Sequence, residues 1–143
     1  MVLEIIPVKI EEEIEPNTNI IDLILESTVI NDYDILIFTQ KIISKSEGRI
    51  VDLSSVNPSL LASGIANSYG KDPRLVELIL SESKRIVRMQ ESVIIVESNR
   101  GFVCANAGID ESNVRDGYVT MLPEDPDQSA DKLKKQIEQR TKK

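Results

Sequence analysis

The chain has no histidine and no tryptophan, a single cysteine, and only 3 Tyr and 2 Phe in 143 residues. Without imidazole, the Ser-His and Cys-His nucleophile systems and the His-containing zinc sites are excluded, so any metal must be held by oxygen. The lone Cys104 permits no disulfide within the chain. It sits in the short apolar run Gly101-Phe102-Val103-Cys104-Ala105 and reads as a small buried hydrophobe rather than a reactive thiol. So few aromatics cannot build a base-stacking platform. With 24 acidic against 17 basic side chains and a net charge of −7, the chain offers no general attraction to nucleic acid or to an anionic membrane. A site for a polyanion must therefore be local, made by a few placed cations and a metal. No apolar run approaches a membrane span, and Met1-Val2-Leu3-Glu4-Ile5-Ile6-Pro7 lacks the basic and long apolar regions of a signal peptide, so a cytoplasmic protein is expected.

What is present is ordinary globular composition, 41% hydrophobic and 29% charged. A chain of this length can bury about 68% of its unfolded surface, enough for independent folding. There is no internal repeat, low-complexity tract or linker. One domain over residues 1–143 is expected, of class α+β, with a mixed sheet and packed helices.

Leu3 to Val8 reads as a first strand, with Pro7 marking an edge or an exit. Glu11, Glu12 and Glu13 read as a solvated face. Asn17 or Thr18 is placed to cap a helix over Ile20 to Glu26. Asp34 to Thr39 is continuously apolar and rich in β-branched residues, as expected of a strand buried on both faces. Asn57-Pro58 and Asp72-Pro73 each pair a capping residue with proline at the first helical position, predicting helices from Pro58 to Tyr69 and Pro73 to Glu82. Arg85 to Met89 and Val93 to Glu97 read as a hairpin, Asn99-Arg100-Gly101 as a turn, and Phe102 to Asn106 as a further strand. Asp127 or Ser129 would cap a last helix bearing a thin apolar stripe of Ala130, Leu133 and Ile137.

That strand enters Asn106-Ala107-Gly108-Ile109-Asp110-Glu111-Ser112-Asn113, which packs small residues, carboxylate, hydroxyl and amides into one turn. Gly108 admits positive φ or a close backbone approach, and Asp110 offers hard oxygens of the kind Mg²⁺ or Mn²⁺ prefers. The same composition also makes ordinary turns in which Asx and Ser side chains bond their own backbone, and both readings stand at this point. Two further stretches bear on the choice: Thr39 to Arg49, which follows an apolar run, and Leu122 to Ala130, where Asp125, Pro126 and Asp127 read as a turn and helix cap.

Together and in this order, the three stretches resemble the coenzyme F420 γ-glutamyl ligase family, over nearly the whole chain from Ile6-Pro7-Val8 onward. The resemblance implies a dimeric ligase that adds L-glutamate to a deazaflavin cofactor precursor through an acyl phosphate, using GTP and Mg²⁺ or Mn²⁺. It also implies that Asp110 is a metal ligand, that Asn113 contacts the nucleotide, and that Gln40, Lys41 and Lys45 line the phosphates or guanine near Asp110, with Ser44 orienting their loop. Lys41 and Lys45 also have a plain reading as surface cations, and Glu47 and Arg49 as a turn about Gly48. A family member would be little more than half finished at this length, so activity is expected to need the C-terminal half, supplied by the same or a separate polypeptide. Two other readings remain open: a non-catalytic nucleotide-binding or regulatory module, and an interaction subunit.

Overall fold

A computed structural model of the chain describes residues 3–142. In chain order its elements are helix α1 (Ile20–Ser27), helix α2 (Gln40–Ser46), strand β1 (Ile50–Asp52), helices α3 (Leu60–Tyr69) and α4 (Pro73–Ser81), strands β2 (Ser83–Gln90), β3 (Val93–Ser98), β4 (Val103–Ala105) and β5 (Tyr118–Thr120), and helix α5 (Pro126–Thr141). The class is α+β. All strand pairings among the described residues are antiparallel and fall into two sheets, β1-β5 and β2-β3-β4, instead of one mixed sheet. No helix of the described residues is long and apolar enough to cross a membrane. The chain divides into two compact units, one of residues up to Gly48 together with those from Pro123, the other Arg49–Leu122.

In the Arg49–Leu122 unit, Asp72 caps α4 by accepting from the Arg74 N–H at 2.8 Å, with Pro73 in the first turn, as the sequence predicts. Helix α3 starts two residues later than expected. Ser59, not Asn57, is its cap, accepting from the Ala62 N–H at 3.1 Å, and Gly70 closes the helix in the left-handed conformation. The β2-β3 hairpin lies where the alternation places it, with Ile86 opposite Val96 and Met89 opposite Ile94. Its central strand turns Ile94 and Val96 inward against Val76 and Ile79 of α4, and all four are fully buried. Val119, Ala107 and Ile109 join the same core. The sequence reading missed β1 and β5, which are three residues each, too short to show a period.

In the other unit, α1, α2 and α5 bury Ile20, Ile21, Ile24, Ile43 and Ile137 against one another. Asn19 caps α1, displacing Asn17 and Thr18, because its side-chain Oδ1 accepts from the Asp22 N–H. Asp125 caps α5, displacing Asp127 and Ser129, by accepting from the Gln128 N–H at 2.9 Å. The stripe of α5 is Ser129, Leu133 and Ile137, spaced four apart, while Ala130 is exposed.

Two expected strands are absent. Leu3–Val8 and Asp34–Thr39 pair with no strand of the described residues. Apolar β-branched sequence fits a pleated surface only when another strand supplies the ladder. The Asp34–Thr39 segment, expected to be buried on both faces, is covered on one: Leu36 and Phe38 pack on the core, while Ile35 and Ile37 are 86% and 92% exposed.

Candidate functional site

The Asp110 loop is built from the Arg49–Leu122 unit. Strand β4 leads into a turn at Asn106, Ala107 and Gly108, whose φ values of 51°, 55° and 73° are all left-handed. Such backbone is costly for residues with a Cβ, by about 1–2 kcal/mol each, and mildest for Asn. Several contacts hold it there. Asn106 Oδ1 accepts from the Ile94 N–H of β3 at 3.3 Å, its carbonyl accepts from the Ile109 N–H at 2.9 Å, and Ala107 and Ile109 are buried in the core. Gly108 is required twice over: its φ is positive, and a Cβ there would lie 2.6 Å from Leu122 Cγ.

Asp110 follows this turn at a fixed position. Its N–H donates to the Thr120 carbonyl at 3.0 Å, its carbonyl accepts from the Thr120 N–H at 2.8 Å, and the Thr120 hydroxyl donates to the same carbonyl at 3.2 Å. One carboxylate oxygen, Oδ1, accepts from the Ser112 N–H at 2.7 Å. The turn reading of this segment is therefore correct for the backbone, and it fixes the carboxylate at the same time. Asn113, also left-handed at φ 61°, is exposed two residues beyond Glu111. Sequence reasoning missed Thr120, the fully buried polar partner of Asp110. Its signal was a hydroxyl within the apolar run Val119-Thr120-Met121.

Gln40, Lys41 and Lys45 belong to the other unit, on α2, where a loop was expected. The run Ile42-Ile43 with Ser44 turns one side inward, and this inward side makes the segment helical: Ile43 is 8% exposed and Ser44 is fully buried. The Gln40 amide donates to Ser44 Oγ at 2.5 Å, one helical turn on. Lys45 has a side chain only 13% exposed and lies 3.7 Å from the carboxylate of Glu13, itself 80% exposed. Its charge is thus partly desolvated beside a solvated partner, whose Coulomb attraction is weak in water. Glu47 accepts a hydrogen bond from Ser129, and Arg49 donates from Nε to the Leu122 carbonyl at 2.9 Å and pairs with Glu82 at 3.6 Å. A cleft of about 500 Å³ in this unit is lined by Asn17, Ser46 and Glu47, but Gln40, Lys41 and Lys45 are not among its lining residues.

The donor set can be tested against a divalent ion. Among the described residues no group of three acidic or thiol side chains converges. Mg²⁺, however, is commonly bound through one or two carboxylates plus substrate phosphates and water, and Asp110 fits the role of such a carboxylate. Cys104 is half-buried at β4, and burial raises its thiol pKa, which disfavours the thiolate.

An α+β chain with a fixed carboxylate loop and helix-borne cations, and without histidine, is the class these features define. Residues 8–143 match the family described as F420-0:Gamma-glutamyl ligase, and the chain belongs to that family. It is 44% identical to the coenzyme F420:L-glutamate ligase of Methanopyrus kandleri over 135 residues, 94% of this chain and 54% of the relative. The ligases of the same name from Methanothermobacter thermautotrophicus and Methanocaldococcus jannaschii are 51% and 46% identical over 110 and 112 residues, covering 77% and 78% of this chain and 44% and 45% of theirs. The chain spans about half the length of the curated relatives it matches.

Proposed function

We propose that this chain is the nucleotide- and metal-binding portion of a ligase that joins L-glutamate to the deazaflavin precursor of coenzyme F420, with GTP as the activating nucleotide. In this reaction the precursor carboxylate attacks the γ-phosphorus of GTP, forming an acyl phosphate and releasing GDP. The amine of glutamate then attacks the acyl carbon and expels phosphate, leaving an amide. The obstacle is charge, since two like charges 4 Å apart repel by about 4 kcal/mol at an effective dielectric of 20. Phosphoryl transfer is promoted chiefly by positioning and by charge stabilisation, so a site without His suffices.

The roles are those that the resemblance to the ligase family implies. Asp110 is a ligand for Mg²⁺ or Mn²⁺, which when bound neutralises phosphate charge. Lys45 and Lys41 offset phosphate charge, while Gln40 and Asn113 supply amide contacts to the nucleotide. The observation that carries this reading is the Asp110 loop: in a chain matched to the ligase family along residues 8–143, a carboxylate that accepts from the Ser112 N–H stands on backbone pinned to Thr120, after three successive left-handed residues. Backbone held in sparsely populated conformations clusters at functional sites.

Titration calorimetry with GTP and Mn²⁺ tests it. The wild-type chain should bind weakly and with metal dependence, Asp110→Ala should lose the metal-dependent part, and Lys45→Ala should weaken nucleotide binding even without metal. An unchanged metal-dependent signal in Asp110→Ala would rule out Asp110 as the ligand.

A further inference from the structure

The pairing of Asp110 with Thr120 closes a loop whose exposed residues include Ser112, Asn113 and Arg115. Its first half is tied to the neck, where the Ser112 N–H donates to Asp110 Oδ1. Its second half is tied to a different element. The Arg115 carbonyl accepts from the Tyr118 N–H at 3.1 Å, and the Gly117 carbonyl accepts from the Leu53 N–H at 2.9 Å, just after β1. The Arg115 guanidinium lies over the Tyr118 ring, 3.8 Å from its centroid, and donates to the Tyr118 hydroxyl. That hydroxyl donates in turn to Asp52 Oδ2 at 2.9 Å, across the β1-β5 pair in which Asp52 stands opposite Tyr118.

Asp52 is itself fixed. Its Oδ1 accepts from the Ser54 N–H at 2.8 Å, and its carbonyl accepts from the Ser55 hydroxyl at 2.7 Å. Guanidinium, hydroxyl and carboxylate in series polarise one another, and stacking and hydrogen bonding together restrict a side chain that on an open surface samples many rotamers. Asn113 lies between the two anchors, Asp110 before it and Arg115 after it, in a left-handed conformation with φ of 61°. Asn visits that region more readily than other residues with a Cβ, but it stays there only where its surroundings hold it.

We propose that Asp52, Tyr118 and Arg115 are positioning residues for the nucleotide site: through Arg115 they fix the second half of the loop and so set where the Asn113 amide meets the nucleotide. This rests on the nucleotide role given to Asn113 above.

The test is a double-mutant cycle on the full chain, read by titration calorimetry with GTP and Mn²⁺. Tyr118→Phe keeps the ring under Arg115 and the charge of Arg115, and deletes only the hydroxyl between Arg115 and Asp52, so a lost affinity reports position and not charge. It should weaken GTP binding at least fivefold, speed hydrogen exchange of the amides of residues 112–117 at least fivefold, and lower the melting midpoint by no more than about 4 °C. In an Asn113→Ala background the same substitution should change affinity less than twofold, because the group being positioned is gone. Arg115→Ala, at an exposed position, is the second variant and should loosen the same amides and couple to Asn113 in the same way. A loosened loop with wild-type affinity, or an equal loss of affinity with and without the Asn113 amide, would overturn the positioning role and leave the nucleotide reading intact. A wild-type chain that binds no GTP would overturn the nucleotide reading, and the positioning role with it.

Discussion

Gly108 is where one added carbon should do the most damage. Its φ of 73° and the 2.6 Å approach to Leu122 Cγ leave no room for a Cβ, so Gly108→Ala must strain the backbone and displace a side chain at once. The combined cost should be about 2 kcal/mol or more. Urea denaturation should show a lowered midpoint with an unchanged slope, and a wild-type midpoint would show that the turn is looser than its hydrogen bonds imply. A second substitution isolates one support of the Asp110 backbone. Thr120→Val keeps the shape and the buried methyl but deletes the hydroxyl that donates to the Asp110 carbonyl. The backbone pair between the two residues remains, so the loss should be modest, about 1 kcal/mol.

Acid stability belongs to the elements of the Arg49–Leu122 unit. The Asp72 carboxyl pKa is lowered chiefly by the hydrogen bond from the Arg74 guanidinium beside it, and that of Asp52 by hydrogen bonding from Ser54 and then from the Tyr118 hydroxyl. Glu77 is lowered by its bonding to Ser59, at the start of α3. Each group has a lower pKa folded than unfolded, so its contribution is complete above the unfolded value of about 4 and is lost as pH falls through the folded value. Thermal melts between pH 7 and pH 2.5 should therefore decline only below about pH 4. Asp72→Asn keeps a capping side chain and removes the charge, so its acid decline should be shallower than that of the wild type. A parallel decline in both would mean Asp72 titrates normally.

The same elements show what could be read without coordinates. Helix α4 and the β2-β3 hairpin were legible because cap, proline and alternation agree within one segment. The carboxylate loop was legible because Gly108 and Asp110 announce a turn with a donor in it. The register of Asp110 against Thr120 was not, since it depends on a pairing between residues ten apart with no period to betray it. Helix α2 was missed because seven residues, Gln40–Ser46, give barely two turns of pattern. Leu3–Val8 and Asp34–Thr39 failed for the opposite reason. Their local signal is strong, and the partner that a strand requires is not among the described residues.

At the scale of the whole molecule, a net charge of −7 repels nucleotide triphosphates at long range, so the proposed nucleotide site would have to rest on local cations and metal. Positioning of reactants can supply about 7–11 kcal/mol of barrier reduction, and a partial site forfeits much of it. The most direct measurement is therefore product formation. This chain is incubated with GTP, Mn²⁺, L-glutamate and the unglutamylated deazaflavin, with and without the polypeptide that supplies the rest of the ligase, and glutamylated product is followed by mass. The expected result is product only when both parts are present, and none when Asp110→Ala replaces the wild type. Robust product from this chain alone would contradict the need for a second part, and no product from an assembled complex would contradict the ligase function itself.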